Sequence, residues 1–239
     1  MTPRLSVIVP AHNEERFIVP CLQSIRAAEQ RLAAPVEVIV VLNRCTDRTA
    51  ELASAHGATL VVEDAKNLAR IRNAGIRASH GDIIVTLDAD SRMSDNMLLE
   101  ITRLLATGRY AGGGTSIKLE RWSLGIFMSG LTFVPRLMLA RCWAGLFWLP
   151  RATFEAVGGF NEALVSAEDV DLARRVRRWG VARGLRYGLI LRAHIVTSCR
   201  KSDEFGDWYL VRNRKLVARI LTGRDQAAAD HYYYDRRAG

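Results

Sequence analysis

The sequence predicts an α/β fold, a mostly parallel central sheet with helices on both faces. Three observations carry this. Short apolar runs rich in β-branched residues alternate, through residue 87, with segments whose apolar residues recur at helical spacing. Such alternation requires crossover connections and hence parallel strands. Three of the early strands also run straight into polar clusters, the arrangement of sheets that bind ligands beyond the carboxyl ends of their strands.

Leu5 to Val9 is the first strand, and Pro10 ends it. Asn13 caps a helix that Glu14 and Glu15 favour electrostatically. Ile18, Leu22 and Ile25 carry the helix to about Leu32, and Pro35 breaks it. Val36 to Leu42 is the second strand. Thr46 or Asp47 caps a helix to about His56, which Gly57 ends. Thr59 to Val62 is a third strand. Leu68, Ile71 and Ala74 mark a helix closed by Gly81, and Ile83 to Leu87 is a strand buried on both faces. Beyond Arg109 the pattern changes. Tyr110 to Leu119 is glycine-rich and strand-like, Trp122 to Cys142 is apolar and partly helical, and Ala144 to Pro150 is a strand. A short helix ends at Gly158 and Gly159. A longer one runs from Ser166, as in a capping box with Asp169, to a stop at Gly180. A strand from Tyr187 to Leu191 leads to His194, and the chain from about Asp203 is helical, then frayed.

With 239 residues, 49% of them hydrophobic, the chain can bury one large core or two fused lobes. The net charge of +9 and pI of about 9.9 suit an anionic partner, whether nucleotide diphosphate, nucleic acid or acidic membrane surface. Arg174, Arg175, Arg177 and Arg178 read first as a solvated helix face. Four scattered cysteines form no C-x-x-C pair, which argues against zinc and fits a reducing cytoplasm. No secretory signal precedes the first strand. The longest uncharged stretch, Trp122 to Pro135, is shorter than the roughly 20 apolar residues of a spanning helix.

Chemistry gathers at three strand ends: Ala11 to Glu14, Asn43 to Asp47, and Asp88-Ala89-Asp90. In a parallel sheet these converge on one cleft. Two carboxylates two residues apart at a strand end are costly to hold together without a cation between them. Mg²⁺ or Mn²⁺ carrying a diphosphate suits them. The structural alternative is that Asp88 caps a turn and Asp90 caps a helix beginning near Ser94. Neither a G-x-G-x-x-G fingerprint nor a Walker A loop occurs.

Taken in order, VIVPAHNEE, VIVVLNRCTDRT, RNAGIRASHGDIIVTLDADS, RATFEAVGGFNEAL and EDVDLARRVRRWG resemble the family 2 glycosyltransferases, inverting enzymes with the GT-A fold. The resemblance covers Leu5 to about Arg200. It implies a Rossmann-like central sheet with a fused acceptor-binding lobe. Residues 1–109 would form the nucleotide-sugar half and residues 110–239 the acceptor-binding and catalytic half. By resemblance, Pro10, Ala11, His12 and Glu14 cradle the nucleotide. Asn43 stands where an aspartate usually binds the base, often uracil, and its amide can both donate and accept. Arg72 falls where a cation lies near the nucleotide; its alternative is a surface helix arginine. Asp90 ligates a metal bridging the diphosphate, with Asp88 and Ala89 beside it, and His194 is the implied third ligand. Asp169, beside Glu168, matches the catalytic base. Ser198, Arg200 and Lys201 belong to a mobile loop over the diphosphate.

The resemblance thus implies a metal-dependent transfer of a sugar from a nucleotide diphosphate, UDP favoured, to the hydroxyl of a saccharide or lipid-linked acceptor. Such chemistry needs a cation for the leaving diphosphate and a carboxylate for the acceptor proton. A nucleotidyltransferase would open on a glycine-rich basic loop, which PAHNEE is not. A noncatalytic basic module that binds nucleic acid has no recognised motif here. The aromatic stretch from Trp122 to Trp148 reads as lobe core or homodimer interface. Its other use is a lipid-linked acceptor or peripheral contact at the inner face of a membrane.

Overall fold

The computed structural model describes residues 4–131, 145–227 and 230. Its centre is an eight-stranded sheet of order β3-β2-β1-β4-β7-β6-β8-β5. The first half is the predicted alternation: β1 (Leu5–Ala11), α1 (Ile18–Leu32), β2 (Val36–Leu42), α2 (Thr49–Ala55), β3 (Thr59–Val62), α3 (Leu68–Ala78) and β4 (Ile83–Leu87). All four strands pair in parallel. Successive side chains on a strand face opposite ways, and both faces are buried. Val7, Val9, Val38, Val40 and Val85 pack with α1 in one core. Ile8, Ile39, Val41 and Ile84 pack with α3 in another.

Pro10 does not end β1; it sits within it. The register with β4 stops at Ile8↔Thr86, so beyond that point β1 has β2 as its only ladder neighbour. There a residue without an N–H is tolerated. Asn13 is not a helix cap either. It takes a left-handed φ of 50°, and its Oδ1 accepts from Thr46 N at 2.8 Å, tying the first strand-end loop to the second. Asp47, by contrast, accepts from Thr49 N at 3.0 Å at the start of α2.

The rest of the chain, from Ser91, reverses the sheet. It contains β5 (Ser91–Met93), α4 (Met97–Ala106), β6 (Tyr110–Leu119), α5 (Leu124–Leu131), β7 (Leu146–Pro150), α6 (Arg151–Ala156), α7 (Glu168–Val181) and β8 (Arg186–Thr197). Three short helices follow: α8 (Arg200–Phe205), α9 (Tyr209–Arg212) and α10 (Arg214–Leu221). β7 runs antiparallel to β4 and β6, and β6 runs parallel to β8. The whole of Tyr110 to Leu119 is strand because its glycines admit a fully buried Trp148: a Cβ on Gly113 would collide with that ring and with the Gly188 carbonyl oxygen.

Several expectations give way here. β5 was not foreseen, and it removes the helix cap proposed for Asp90; α4 starts only at Met97. Ser166 does not cap α7. Its hydroxyl donates to Ile220 O at 2.6 Å and ties α10 to the loop before α7. Gly180 does not stop α7, which continues to Val181; there a Cβ would press on Ala111. β8 extends well past Leu191, so His194 lies inside a strand. The lobe-core reading holds at the end of the aromatic stretch, where Phe147 and Trp148 are buried, and fails at its start, where Trp122 is 74% exposed. Phe133, Arg136, Arg141 and Trp143 lie outside the described residues.

Candidate active site

The three strand-end clusters converge as their positions require. One cleft is lined by Pro10, Ala11, His12, Glu14, Asn43, Asp88, Ala89 and Asp90, with Glu168 and Lys201 from the second half. Leu68, Ile71 and Val165 form its apolar wall. Leu68 and Ile71 carried no signal of a ligand, because an apolar residue on a helix reads as core whether or not it faces one.

At the end of β1, His12 Nδ1 lies 2.5 Å from Asn43 O, so the carbonyl fixes the proton on that nitrogen. Asn43 is buried, and its amide nitrogen donates to Glu63 O at 2.5 Å and Ala65 O at 2.9 Å. Both N–H groups therefore hold the loop after β3. The expectation that this amide donates as well as accepts is corrected: only its oxygen, near Arg44, can face a ligand.

Arg72 is not a surface arginine. Its side chain is 7% exposed and bridges the two halves. Nη1 donates to Glu168 Oε1 at 2.5 Å and Nη2 to Asp88 Oδ1 at 2.8 Å. The guanidinium also stands 5.5 Å over the Phe160 ring. One cation thus serves three neighbouring carboxylates, Asp88, Glu168 and Asp169. Burial, with negative neighbours, pushes Glu168 up to about 7, against the opposing pull of Arg72. Burial likewise raises Asp169, again opposed by Arg72. The Glu168–Asp169 pair accordingly holds a proton closer to neutrality than free carboxylates do. Asp169 sits at the first turn of α7 and is half-buried, with Oδ1 accepting from Val170 N at 2.7 Å.

Asp90 is held from the far end of the chain. Ser198 donates to its Oδ2 at 3.0 Å, and Arg200 Nη2 lies 3.5 Å from the same oxygen. Arg200 makes a two-pronged bond to buried Glu14, at 2.7 and 3.1 Å, and its guanidinium stands 5.1 Å from the Phe17 ring centroid. The Glu14–Arg200 pair spans 186 residues, and no local pattern announces such a partner.

His194 does not join this group. It pairs with Ser116, three residues before the Thr197 that pairs with Ser91. Among the described residues, no three His, Cys, Asp or Glu side chains gather as a metal cage. The donor set is two carboxylates, Asp88 already shared with Arg72. That set fits a divalent ion that arrives with phosphate oxygens and water, as Mg²⁺ does, and does not fit a resident ion.

An eight-stranded, mostly parallel sheet with paired acids at the end of β4 and an acidic pair opposite them defines a GT-A glycosyltransferase. The family model for "Glycosyl transferase family 2" matches residues 6–145, and the chain belongs to that family. Glycosyltransferase AglE of Haloferax volcanii is 28% identical over 222 residues, covering 86% of this chain and 69% of its own. Among solved structures, mannosyltransferase PcManGT from Pyrobaculum calidifontis, in complex with GDP-Man and Mn²⁺, superposes with a TM-score of 0.69 at 22% identity. That match covers 94% of this chain and 63% of PcManGT. S. aureus TarS 1-349 in complex with UDP-GlcNAc superposes at 0.64 and 17% identity, over 96% of this chain and 70% of its own. The chain is a glycosyltransferase, and the nucleotidyltransferase and noncatalytic readings fall.

Proposed function

We propose that the protein moves a sugar from a nucleoside diphosphate to an acceptor hydroxyl, with inversion at the anomeric carbon. Residues 1–109 bind the donor, and residues 110–239 supply the base and the acceptor side. The observation that carries this reading is the Arg72 bridge, which brings Asp88 of the donor half against Glu168 and Asp169 of the other.

The nucleotide lies along Pro10 to Glu14, with its base at Asn43. Because the Asn43 amide protons are spent, the base is read by an acceptor. That suits uracil, through its N3–H, and equally guanine, through N1–H; UDP is the donor favoured by the family pattern. Asp90, with Asp88 beside it, would hold Mn²⁺ or Mg²⁺ accompanying the diphosphate. Such an ion stabilises the charge that gathers on the leaving group. Arg200 and Lys201 add fixed positive charge at the same place. Glu168 is occupied by Arg72 and orients the pair. Asp169 Oδ2, not engaged by Val170, takes the acceptor proton as the new bond forms. Its raised pKa places it closer to the operating range of a general base. The acceptor is a saccharide or lipid-linked hydroxyl.

Asp169→Asn tests the assignment. Donor binding, read by thermal shift, stays close to wild type, while transfer falls by about 10²–10⁴-fold. Transfer that persists at wild-type rate removes Asp169 as the base.

A further inference from the structure

The helix α5 is built inside out. Leu124, Phe127, Met128 and Leu131, spaced i, i+3, i+4 and i+7, are its exposed residues at 56%, 50%, 38% and 40%. Its buried face carries Gly125, Ile126 and Ser129. The inward polar groups are satisfied: Ser129 donates to Asp207 O at 2.8 Å, and Ser123, just before the helix, donates to Asp207 Oδ2 at 2.5 Å. A helix on a water-facing surface shows the opposite pattern, apolar inward and polar outward. The apolar strip continues into Trp122, 74% exposed, and Trp208, 41% exposed and packed at Gly125.

Charge says what covers this strip. Residues 121–154 contain no acidic residue and four arginines. Residues 208–224, which hold α9 against α5, contain five basic residues and no acidic one. Arg212 and Lys215 are exposed there. Three acids that flank the strip in sequence are engaged: Arg121 takes Asp203 at 2.6 Å and Asp207 at 2.7 Å, and Arg92 takes Glu120 at 2.9 Å. Exposed Trp, Phe and Leu bordered by Lys and Arg match an anionic bilayer surface, where aromatic rings lie at the headgroup level and basic residues meet lipid phosphate. The described residues contain no helix long and apolar enough to cross a membrane, and the contact considered is one that lies on the surface.

We propose that the face formed by α5, Trp122 and Trp208 docks the protein on an anionic bilayer. The strip begins beside the cleft: Glu120 N donates to Thr197 O, and Ser198 holds Asp90. Docking there sets the acceptor side of the cleft against the membrane.

The test is flotation of the full chain with vesicles of phosphatidylcholine and phosphatidylglycerol, against vesicles of phosphatidylcholine alone. The protein floats with the anionic vesicles, weakly with the neutral ones, and less at high salt. The double substitution Trp122→Ser, Phe127→Ser lowers the floated fraction by about tenfold or more. Both residues are exposed, so its melting temperature stays at the wild-type value. Paired substitution Arg212→Gln, Lys215→Gln weakens anionic-vesicle flotation alone. No flotation overturns the proposal, whether or not the strip instead mediates self-association seen by sedimentation. Flotation that survives the Trp122 and Phe127 substitutions overturns it too.

Discussion

The two halves of this molecule are held together by different physics. Residues 1–109 carry thirteen basic and thirteen acidic side chains, so the whole excess of +9 lies in residues 110–239. The first half is neutral and, through β4, a parallel layer with apolar packing on both faces. The second half has mixed strand directions, short terminal helices, a bare apolar strip and a large positive charge. The seam between them is ionic: buried Arg72, which also holds half-exposed Asp88, pairs with buried Glu168, and partly buried Arg200 pairs with buried Glu14 and with Asp90. A neutral half and a basic half joined in this way make a cleft whose shape depends on two arginines.

The sharpest way to break the seam is Arg72→Gln. Removing one partner of a buried pair leaves carboxylates uncompensated, at a cost of about 3–5 kcal/mol. Arg72 also pulls the Glu168–Asp169 pair downward, so its loss moves the apparent pKa on the acid limb of the rate profile upward. Thermal denaturation and a pH–rate profile measure the two effects separately. A variant with wild-type stability and an unchanged profile would show that the bridge is not formed.

Glu14→Gln releases Arg200 with a smaller effect. The neutral amide keeps the shape but loses the charge-assisted pair, worth about 1.5–3 kcal/mol. Donor KM rises, while the pH profile set by Glu168 and Asp169 stays in place. Steady-state kinetics against donor concentration checks this, and an unchanged KM separates Arg200 from the diphosphate.

The acidic pair also gives the protein a pH-dependent stability. Glu168 titrates near 7 in the folded chain against an ordinary value of 4.5. Between those values the native state holds a proton that the unfolded state has released. Its contribution to stability is therefore greatest at the acid end and falls as pH rises through that window. Melting temperatures measured from pH 5 to 7 decline for this reason, and Glu168→Gln flattens the decline. The smallest effect belongs to the solvated surface: Arg92→Ala removes a half-exposed pair with Glu120 and costs about 0–1 kcal/mol.

Legibility in the sequence follows the same division. Strands β2, β3 and β4 have the predicted limits because their patterns are local: apolar runs bounded by turn residues. Asp88, Asp90 and Asn43 were visible as polar clusters at strand ends. The chain beyond β4 depends on distant partners. The reversal at β7 is set by Trp148 lying on Gly113 and Gly188, and β5 by three residues pairing with β8 more than a hundred positions away. Neither leaves a periodic trace. Ser before an acidic turn reads as a cap, yet the Ser166 hydroxyl serves α10. His194 was placed by its position relative to a motif, while β8 carries it away from Asp90. The exposed face of α5 stays open in the sequence for a related reason, since composition alone does not separate a bare apolar strip from a core.

The central claim is that Asp90 and the strand-end cleft take a nucleoside diphosphate together with a divalent ion. Thermal shift of wild type and Asp90→Asn with UDP and GDP, each with and without Mn²⁺, tests it directly. A ligand that binds only the folded state raises its melting temperature. Wild type is stabilised by one nucleotide diphosphate more strongly when Mn²⁺ is present, and Asp90→Asn loses the metal-dependent part. A shift of equal size in Asp90→Asn, or none with any nucleotide while the protein remains folded, would contradict the account.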